Sequence, residues 1–368
     1  MEFHSDLLYR IALTKIPLIG PIHARNLMSY CGSAKAVFSE KRANLLKVPN
    51  IGDQLATNIL TSEVLHEAEA EIKYLTKNNI QPLFFKDEEF PSTLAQLNDS
   101  PLILYRKGNA ELNAERMVAI VGTRSCSTYG QLLCEQFIEG MKKYNVTTVS
   151  GMAFGIDACA HKTSLVNNIP TIAIMGTGFG TIYPHQHRSL AQEIVENGSL
   201  LTEFSHQKGP DKDHFPARNR IIAGMCDALL VVESARRGGS MITAFFANDY
   251  NKDVFTFPGK VGIKNSSGPH FLIKNSLAHL IENADDLAEI LRWEENSKSD
   301  GIQKKLFLEL TEQEQTIVNC MRKTDESSMH YLISSLDMSP GKISGILLEL
   351  EFKGLVRCLP GNRYLLTE

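Results

Sequence analysis

Between residues 66 and 292, short apolar runs alternate with longer stretches of helical periodicity. The apolar runs predict strands at Met117–Val121, Val146–Ser150, Thr171–Met175, Ser199–Thr202, Ala228–Val232 and Asp253–Phe257. The stretches between them predict helices, including Thr128–Tyr144, Ile156–Asn167, His185–Asn197 and Ser240–Tyr250. Continuous apolar strands separated by helices are typical of a mostly parallel sheet buried on both faces. The pattern predicts a doubly wound α/β domain, with a helix over Ser62–Asn78 and a strand over Ile80–Phe85 in front of it.

The first 65 residues have a helical pattern and contain an internal repeat. Pro17–Leu27 and Pro49–Ile59 share the sequence P-x-I-G-x-x-x-A-x-N-[L/I]. The Pro and Gly predict a tight turn, and the small Ala lets two helices approach. The pair resembles two helix-hairpin-helix units, whose turn amides can hold a DNA phosphate at a helix N-terminus. Two helical hairpins used only for packing explain the repeat equally well.

The C-terminal region, residues 306–368, follows a polar, aperiodic linker over residues 293–305. Helical periodicity around Gln313–Met321 and Ser328–Leu336 precedes a third helix that begins after Ser339. Two short strands follow, Leu355–Cys358 and Arg363–Leu366. Three helices and a β-hairpin are the order of a winged helix, whose third helix normally reads DNA. Here that helix has two acids and few groups suited to base edges, so we favour partner binding or packing over base readout.

Composition narrows the possible functions only slightly. The 368 residues, 43% of them hydrophobic, are enough for two or three domains with substantial cores. Seven scattered cysteines without a C-x-x-C pair indicate a reducing compartment. No apolar run reaches the roughly 18 residues of a membrane span, and residues 1–6 lack signal-peptide features, so we expect a cytoplasmic protein without a membrane partner. The net charge is −4, so a nucleic-acid surface would need local positive charge.

The predicted strands are followed by segments that combine small residues with basic or hydroxyl groups. Glycine lets a phosphate approach the backbone, helix N-termini point N–H groups at it, and Arg binds it bidentately. Because the carboxyl ends of parallel strands share one sheet edge, these segments together predict an anion-binding shelf. The residues concerned are Gly122, Thr123, Arg124 and Ser125; Gly151, Ala153 and Gly155; Phe215, Arg218, Asn219 and Arg220; Gly239, Ser240 and Thr243; and Lys260.

Motifs for catalysis or cofactor binding are weak. Gly176–Gly180 follows a strand and looks dinucleotide-like, but Thr181 stands where the G-x-G-x-x-G fingerprint needs its third glycine. His185 and His187 form a pair, but no third ligand lies at metal-site spacing. The sequence has no Walker A motif and no G-x-S-x-G elbow. We therefore expect no catalytic residue, no metal and no cofactor.

The same strand-end segments resemble those of the DprA/Smf family of recombination mediators. Val118–Arg124 is similar to the family's V-A-I-V-G-[ST]-R, and Ser150–His161 to its S-G-x-A-x-G-I-D-x-x-A-H. Phe215–Gly224 and Gly239–Ala244 match further blocks, as do Tyr183-Pro184 and Phe257-Pro258-Gly259. The resemblance covers nearly all of residues 80–280. The flanking helical and winged-helix-like regions also fit the family.

The resemblance implies a Rossmann-like core that binds single-stranded DNA, works as a homodimer and helps the RecA recombinase replace single-strand-binding protein, which competes for the same DNA. It implies no catalytic activity. Carried over by motif, Arg124 and Lys212 contact the DNA backbone and Phe215 stacks on a base. Arg218 and Arg220 are further phosphate contacts, unless one of them pairs with a carboxylate in the core. Arg188 stands in for a lysine that the family often has after Tyr-Pro, and Asn219 is a loop organiser.

Two alternatives remain open at this point. One is a phosphoribohydrolase-like enzyme on a similar Rossmann-like fold. That group carries P-G-G-x-G-T-x-x-E, but no glutamate, the residue that acts on ribose, follows at the matching place of the corresponding segment Arg237–Ala244. The other is a protein-binding scaffold in which the anion-binding shelf no longer serves DNA. DNA binding that weakens steadily with salt would distinguish the DNA-binding hypothesis from the scaffold.

Overall fold

The computed structural model describes residues 2–295, 310–322, 324, 326–336, 338–359 and 362–366. The chain divides into two compact units, Met1–Ser297 and Lys298–Glu368. The finer boundary at residue 65 therefore stays a prediction. The predicted linker falls mostly on residues outside the described ranges.

The first unit begins with helices that pack on the edge of a sheet. They are α1 (Glu2–Lys15), α2 (Pro21–Cys31), α3 (Ala34–Ser39), α4 (Arg42–Leu45), α5 (Asp53–Thr61) and α6 (Val64–Lys77). One apolar cluster joins residues of these helices, such as Leu27 and Leu75, to Leu102, Ile103 and Tyr105 of the sheet region. The helical region therefore shares a core with the α/β part.

The sequence repeat corresponds to two equivalent turns. Leu18 and Asn50 occupy the same position of the repeat and both adopt a positive φ, +67° and +64°. Gly20 and Gly52 then form the N-caps of α2 and α5. In the second turn, Asp53 lies in the first turn of α5 and bonds Arg42 at 2.6 Å. The negative charge of Asp53 would repel a phosphate at this helix N-terminus, which favours the packing interpretation for the second turn.

The sheet of the first unit is mostly parallel. Its strands are β1 (Gln81–Phe84), β2 (Ile103–Gly108), β3 (Met117–Val121), β4 (Thr147–Gly151), β5 (Thr171–Ile174), β6 (Gly198–Thr202), β7 (Ala228–Val231), β8 (Asp253–Thr256) and β9 (His279–Leu280). Their order is β1-β2-β6-β5-β4-β3-β7-β8-β9. The β1–β2 and β2–β6 pairs are antiparallel, and the others are parallel. The strand order reverses between β3 and β7, where doubly wound sheets bind ligands.

Helices cover both faces of this sheet. They are α7 (Ser92–Ala95), α8 (Thr128–Met141), α9 (Ile156–Val166), α10 (Arg188–Asn197), α11 (His214–Met225), α12 (Gly239–Asp249), α13 (Ser267–Lys274) and α14 (Ala284–Ile290). Successive residues of β3 alternate between two cores: Ala119 packs in the cluster that includes α11 and α12, and Val118 and Ile120 pack in the cluster that includes α8 and α9. Burial on both faces explains why the strands are continuously apolar.

The predicted doubly wound α/β fold is confirmed, with differences in detail. The antiparallel strand β2 was not predicted. Residues 215–220, grouped above with the strand-end segments, lie inside helix α11, because Pro216 is tolerated in the first helical turn. Short 3-10 helices occupy Lys142–Tyr144 and His185–His187, where longer α-helices were predicted.

The second unit is a winged helix. Its described elements are α15 (Glu312–Met321), β10 (Ser327–Ser328), α16 (Met329–Ser335), α17 (Pro340–Phe352), β11 (Val356–Leu359) and β12 (Arg363–Leu366). Antiparallel pairing gives the strand order β10-β12-β11. Thr311 and Glu314 form a capping box at the start of α15. The third helix, α17, exposes Leu348 and Phe352, and its role stays a prediction.

Candidate nucleic-acid interface

A cleft of about 530 Å³ lies at the carboxyl edge of the sheet, where the strand order reverses. Eleven of the predicted residues line it: Gly122, Thr123, Arg124, Ala153, Lys212, Phe215, Arg218, Asn219, Gly239, Ser240 and Thr243. The connections after β3, β4, β6 and β7 thus contribute to one surface. Arg124 and Lys212 are exposed to solvent and give this surface positive charge.

The loop after β3 holds Arg124 at the mouth of the cleft. The Thr123 N–H donates to the Glu233 carbonyl at 2.8 Å, which fixes the loop against the end of β7. A Cβ on Gly122 would lie 2.5 Å from the Ile156 side chain, so glycine is required for α9 to pack this closely. Ser125 is also exposed, but it does not line the cleft.

The loop after β4 packs directly beneath the loop that carries Arg124. Gly155 has φ +76°, and a Cβ there would lie 2.2 Å from the Thr123 carbonyl oxygen. A Cβ on Gly151 would lie 2.1 Å from Arg218 Nη1. These two glycines therefore bring the two loops and α11 together, and they do not line the cleft themselves.

An aromatic group sits where the cleft meets a smaller neighbouring pocket. The guanidinium carbon of Arg124 lies 5.3 Å from the centroid of the Phe215 ring, and the Tyr183 ring centroid is 5.7 Å from that of Phe215. Phe154 and Tyr183 line the smaller pocket and are 40% and 37% exposed. Sequence reasoning did not assign either side chain to the site. Their positions in strand-end loops were the signal that could have included them.

The side chains of Arg218 and Arg220 leave helix α11 in different directions. Arg218 is 4% exposed, and its Nη1 donates to the Ile174 carbonyl while its Nε donates to Asn219 at 3.1 Å. Burial lowers the pKa of Arg218 and raises that of neighbouring Asp157, although the two charges attract. Arg218 thus forms part of the floor of the cleft, with its guanidinium committed to internal partners.

Arg220 does not line the cleft. It forms an ion pair with Glu203, and both side chains are largely buried. Burial raises the pKa of Glu203, and the attraction of Arg220 opposes that shift. The expected phosphate contact of Arg220 does not match this placement. The sequence left open that one of the two arginines pairs with a carboxylate in the core, and Arg220 is the one that does so.

Helix α12 contributes its first turn to the cleft. Asn219 donates to the Gly239 carbonyl at 3.3 Å, in keeping with the expected role of a loop organiser. The Ser240 hydroxyl is buried and donates to Ser234 at 2.8 Å, and Thr243 is also buried. Gly239 is exposed, and a Cβ there would meet nothing within 4 Å. This turn therefore presents backbone and small groups to the cleft.

Two predicted cations lie elsewhere. Arg188, the first residue of α10, lines a separate cleft with Phe179 and Ile182. Lys260 is exposed beyond the end of β8 and does not line the cleft at the strand reversal. The structure thus brings Arg124 and Lys212 together but leaves Arg188 and Lys260 outside this surface.

A buried hydrogen-bond chain supports the β4 loop from below. His161 is fully buried; its Nε2 lies 2.7 Å from the Gly151 carbonyl and its Nδ1 lies 2.7 Å from the Thr171 hydroxyl. Because a carbonyl only accepts, Nε2 carries the proton and Nδ1 accepts from Thr171. Burial lowers the pKa of His161 to about 4. A neutral imidazole therefore fixes the position of Gly151.

Within the described ranges, no three His, Cys, Asp or Glu side chains converge as potential metal ligands. Among those same residues, none of the helices has both the length and the apolar character needed to cross a bilayer.

The chain matches two known domain families. Residues 81–292 match the family described as DNA recombination-mediator protein A, and residues 308–362 match the DprA winged helix domain. Protein Smf of Synechocystis is 28% identical over 98% of this chain and 99% of its own length. Protein Smf of Escherichia coli is 33% identical over 80% of this chain and 79% of its own length.

The chain is also similar to solved structures of bacterial proteins. The chain matches DNA processing protein A from Streptococcus pneumoniae with a TM-score of 0.63 and 31% identity, over 78% of this chain and 98% of that one. It matches DNA processing protein A from Helicobacter pylori, a structure that addresses that protein's single-stranded DNA binding mode, with a TM-score of 0.53 and 28% identity over 58% and 97% of the two chains. This chain, with its Rossmann-like sheet and its winged helix, therefore belongs to the DprA/Smf family of DNA recombination mediators.

Proposed function

We propose that this protein binds single-stranded DNA in the cleft at the strand reversal and does so without chemical catalysis. The observation that carries the proposal is the juxtaposition of Arg124, Lys212 and Phe215 on that one surface. The two cations suit phosphates of the DNA backbone, and the ring suits a base of any identity. The carboxylate that lines the cleft, Asp157, is buried beside Arg218, a placement suited to supporting the floor of a binding surface.

Preference for single strands follows from the mixed chemistry of this surface. An aromatic ring contributes to binding only when a base is unstacked, and a duplex keeps its bases stacked. Backbone contacts from Arg124 and Lys212 carry no sequence information, so binding is independent of sequence. Duplex DNA that competes equally with single strands would contradict this part of the proposal.

Salt dependence provides the direct test. Fluorescence anisotropy of labelled oligothymidylate is measured from low to high salt for the unaltered protein, Arg124→Ala, Lys212→Ala and Lys142→Ala. Lys142 is an exposed matched control just before β4, near the opposite edge of the sheet. We expect each cleft variant to reduce the slope of log affinity against log salt by about 0.7, and Lys142→Ala to leave it unchanged. Salt-insensitive binding, or none, by the unaltered protein would favour the scaffold alternative.

We further propose that the bound protein is a cytosolic homodimer that assists RecA on DNA covered by single-strand-binding protein. Membership of a family of recombination mediators supports this role. RecA filament assembly on coated single strands is compared with unaltered protein and Lys212→Glu. We expect the charge reversal to abolish the stimulation, and light scattering of the same samples to give twice the chain mass. If Lys212→Glu stimulated RecA filament assembly as strongly as the unaltered protein, RecA assistance would not depend on this cleft.

A further inference from the structure

The glycines of Gly176–Gly180 have a role unrelated to dinucleotides. A Cβ on Gly178 would lie 1.9 Å from the Ser205 carbonyl oxygen, and one on Gly180 would lie 2.4 Å from that of His206. The Gly178 N–H donates to the Lys208 carbonyl at 2.8 Å, and the Gly180 N–H to the His206 carbonyl at 3.0 Å. The glycine segment is therefore a docking surface for residues 203–213, the connection between β6 and α11.

A second anchor holds the same connection from helix α6. Glu71 is fully buried and accepts from the His206 N–H at 2.8 Å, from His206 Nδ1 at 3.0 Å and from Lys15 Nζ at 3.1 Å. The His206 ring also stacks on Tyr74, with centroids 4.1 Å apart. A buried carboxylate is tolerated only when donors satisfy it, so Glu71 and His206 require one another.

The anchored connection leads directly into the cleft. Lys212 lies six residues after His206, and Phe215 lies in the first turn of α11. The two ends of the connection also contact each other, because the His214 ring stacks on the Phe204 ring with centroids 4.2 Å apart. The His214 Nδ1 atom lies 3.2 Å from the Gly209 carbonyl. Loss of the Glu71 anchor would free the segment that carries Lys212.

We propose that Glu71, acting through His206, is a positioning residue for DNA binding: it holds the β6–α11 connection so that Lys212 and Phe215 face the cleft. Glu71 itself does not line the cleft. This inference rests on the proposed function of the cleft. Its physical basis is preorganisation, because a segment that is already ordered loses less conformational entropy when DNA binds. It assigns the helical region a part in DNA binding without contact to DNA.

The test compares Glu71→Gln with Glu67→Gln, the same change at an exposed position one turn earlier on α6. We expect Glu71→Gln to weaken oligothymidylate binding about tenfold and Glu67→Gln to leave it unchanged. In a Lys212→Ala background, Glu71→Gln should weaken binding only about two- to threefold, because the two changes act on the same contact. A full effect of Glu71→Gln in both backgrounds would overturn the proposal.

A second readout does not use DNA. Trypsin cleavage after Lys208 and Lys212 should be accelerated in Glu71→Gln but not in Glu67→Gln, under conditions where thermal melts show both proteins to be folded. His206→Ala, which approaches the anchor from the other side, should reproduce the acceleration and covers the case in which Glu71→Gln does not fold. Unchanged cleavage in both anchor variants refutes the anchoring alone, whereas failure of the unaltered protein to bind DNA refutes the proposed function.

Discussion

The guanidinium carbon of Arg124 lies 5.3 Å from the centroid of the Phe215 ring, although Arg124 belongs to the connection after β3 and Phe215 to the first turn of α11. A cation at this distance over an aromatic face is attracted by the ring quadrupole. The pairing holds a phosphate-binding group beside a base-stacking group before DNA arrives. Each group contributes differently to binding, and the two contributions can be measured separately.

Removing the ring at position 215 should weaken DNA binding without changing its salt dependence. We expect Phe215→Leu to weaken oligothymidylate binding by about 1–3 kcal/mol, because stacking is lost while the cations remain. Phe215→Tyr, which keeps the ring, should bind within about 0.5 kcal/mol of the unaltered protein. Anisotropy titrations at several salt concentrations measure both quantities. A changed salt slope in Phe215→Leu would show that the ring acts through Arg124 instead of through a base.

Two glycines of the site should differ strongly in their tolerance of a methyl group. Gly155→Ala should lower the free energy of unfolding by about 2–4 kcal/mol, because its φ is +76° and the new Cβ meets the Thr123 carbonyl. Gly239→Ala should change it by no more than about 0.5 kcal/mol, because nothing lies within 4 Å of the new Cβ. Urea denaturation measures both. Equal costs would contradict the close approach of the β3 and β4 loops.

His161 should make stability depend on pH. Its pKa is about 4 in the folded protein and near 6.5 when unfolded, so the unfolded chain binds the proton first as pH falls. The contribution of His161 to the free energy of unfolding is therefore complete above about pH 7 and is lost between about pH 6.5 and 4. About 2 kcal/mol of it is lost by pH 5. The stability difference between unaltered protein and His161→Gln should shrink by that amount from pH 8 to pH 5.

Urea midpoints at the two pH values measure this difference. His66→Gln, a substitution of an exposed histidine on α6, provides the matched control and should show no such change. A stability difference for His161→Gln that is the same at pH 8 and pH 5 would contradict a neutral, buried imidazole.

Arg220 should matter for stability more than for DNA. Arg220→Ala leaves the Glu203 carboxylate buried without its charged partner, which costs about 3–5 kcal/mol at pH 8. Burial already raises the pKa of Glu203, and loss of Arg220 raises it further. Protonation of Glu203 removes the unpaired buried charge from the folded variant. The loss in free energy of unfolding caused by Arg220→Ala should therefore shrink as pH falls toward 5.

Chemical denaturation at both pH values measures the deficit, with Arg124→Ala as an exposed control that changes stability by no more than about 0.5 kcal/mol. The salt slope of DNA binding by Arg220→Ala should match that of the unaltered protein. A reduced slope would place Arg220 on the phosphate path and overturn its structural role.

The architecture of the α/β domain was predictable because its signals are local. Continuous apolar strands such as Met117–Val121 identify a sheet buried on both faces, and the glycine-rich segments after them identify its functional edge. The family motifs lie in those same segments. The antiparallel strand β2 was missed because Arg106 and Lys107 interrupt its apolar run, so it lacks the continuous apolar pattern of the parallel strands.

The roles of the individual basic residues were decided by the tertiary structure. Successive residues on an α-helix are rotated by about 100°, so Arg218 and Arg220 differ by about 200° and cannot both face one cleft. Their order in the sequence does not say which of them faces inward, because that depends on how α11 is rotated against the sheet. The Glu203 partner of Arg220 lies in the β6–α11 connection, 17 residues earlier in the chain. The anchor between Glu71 and His206 joins residues 135 positions apart. A contact of that separation exists only after the sheet has brought α6 and the β6–α11 connection together, so no local pattern in the sequence records it.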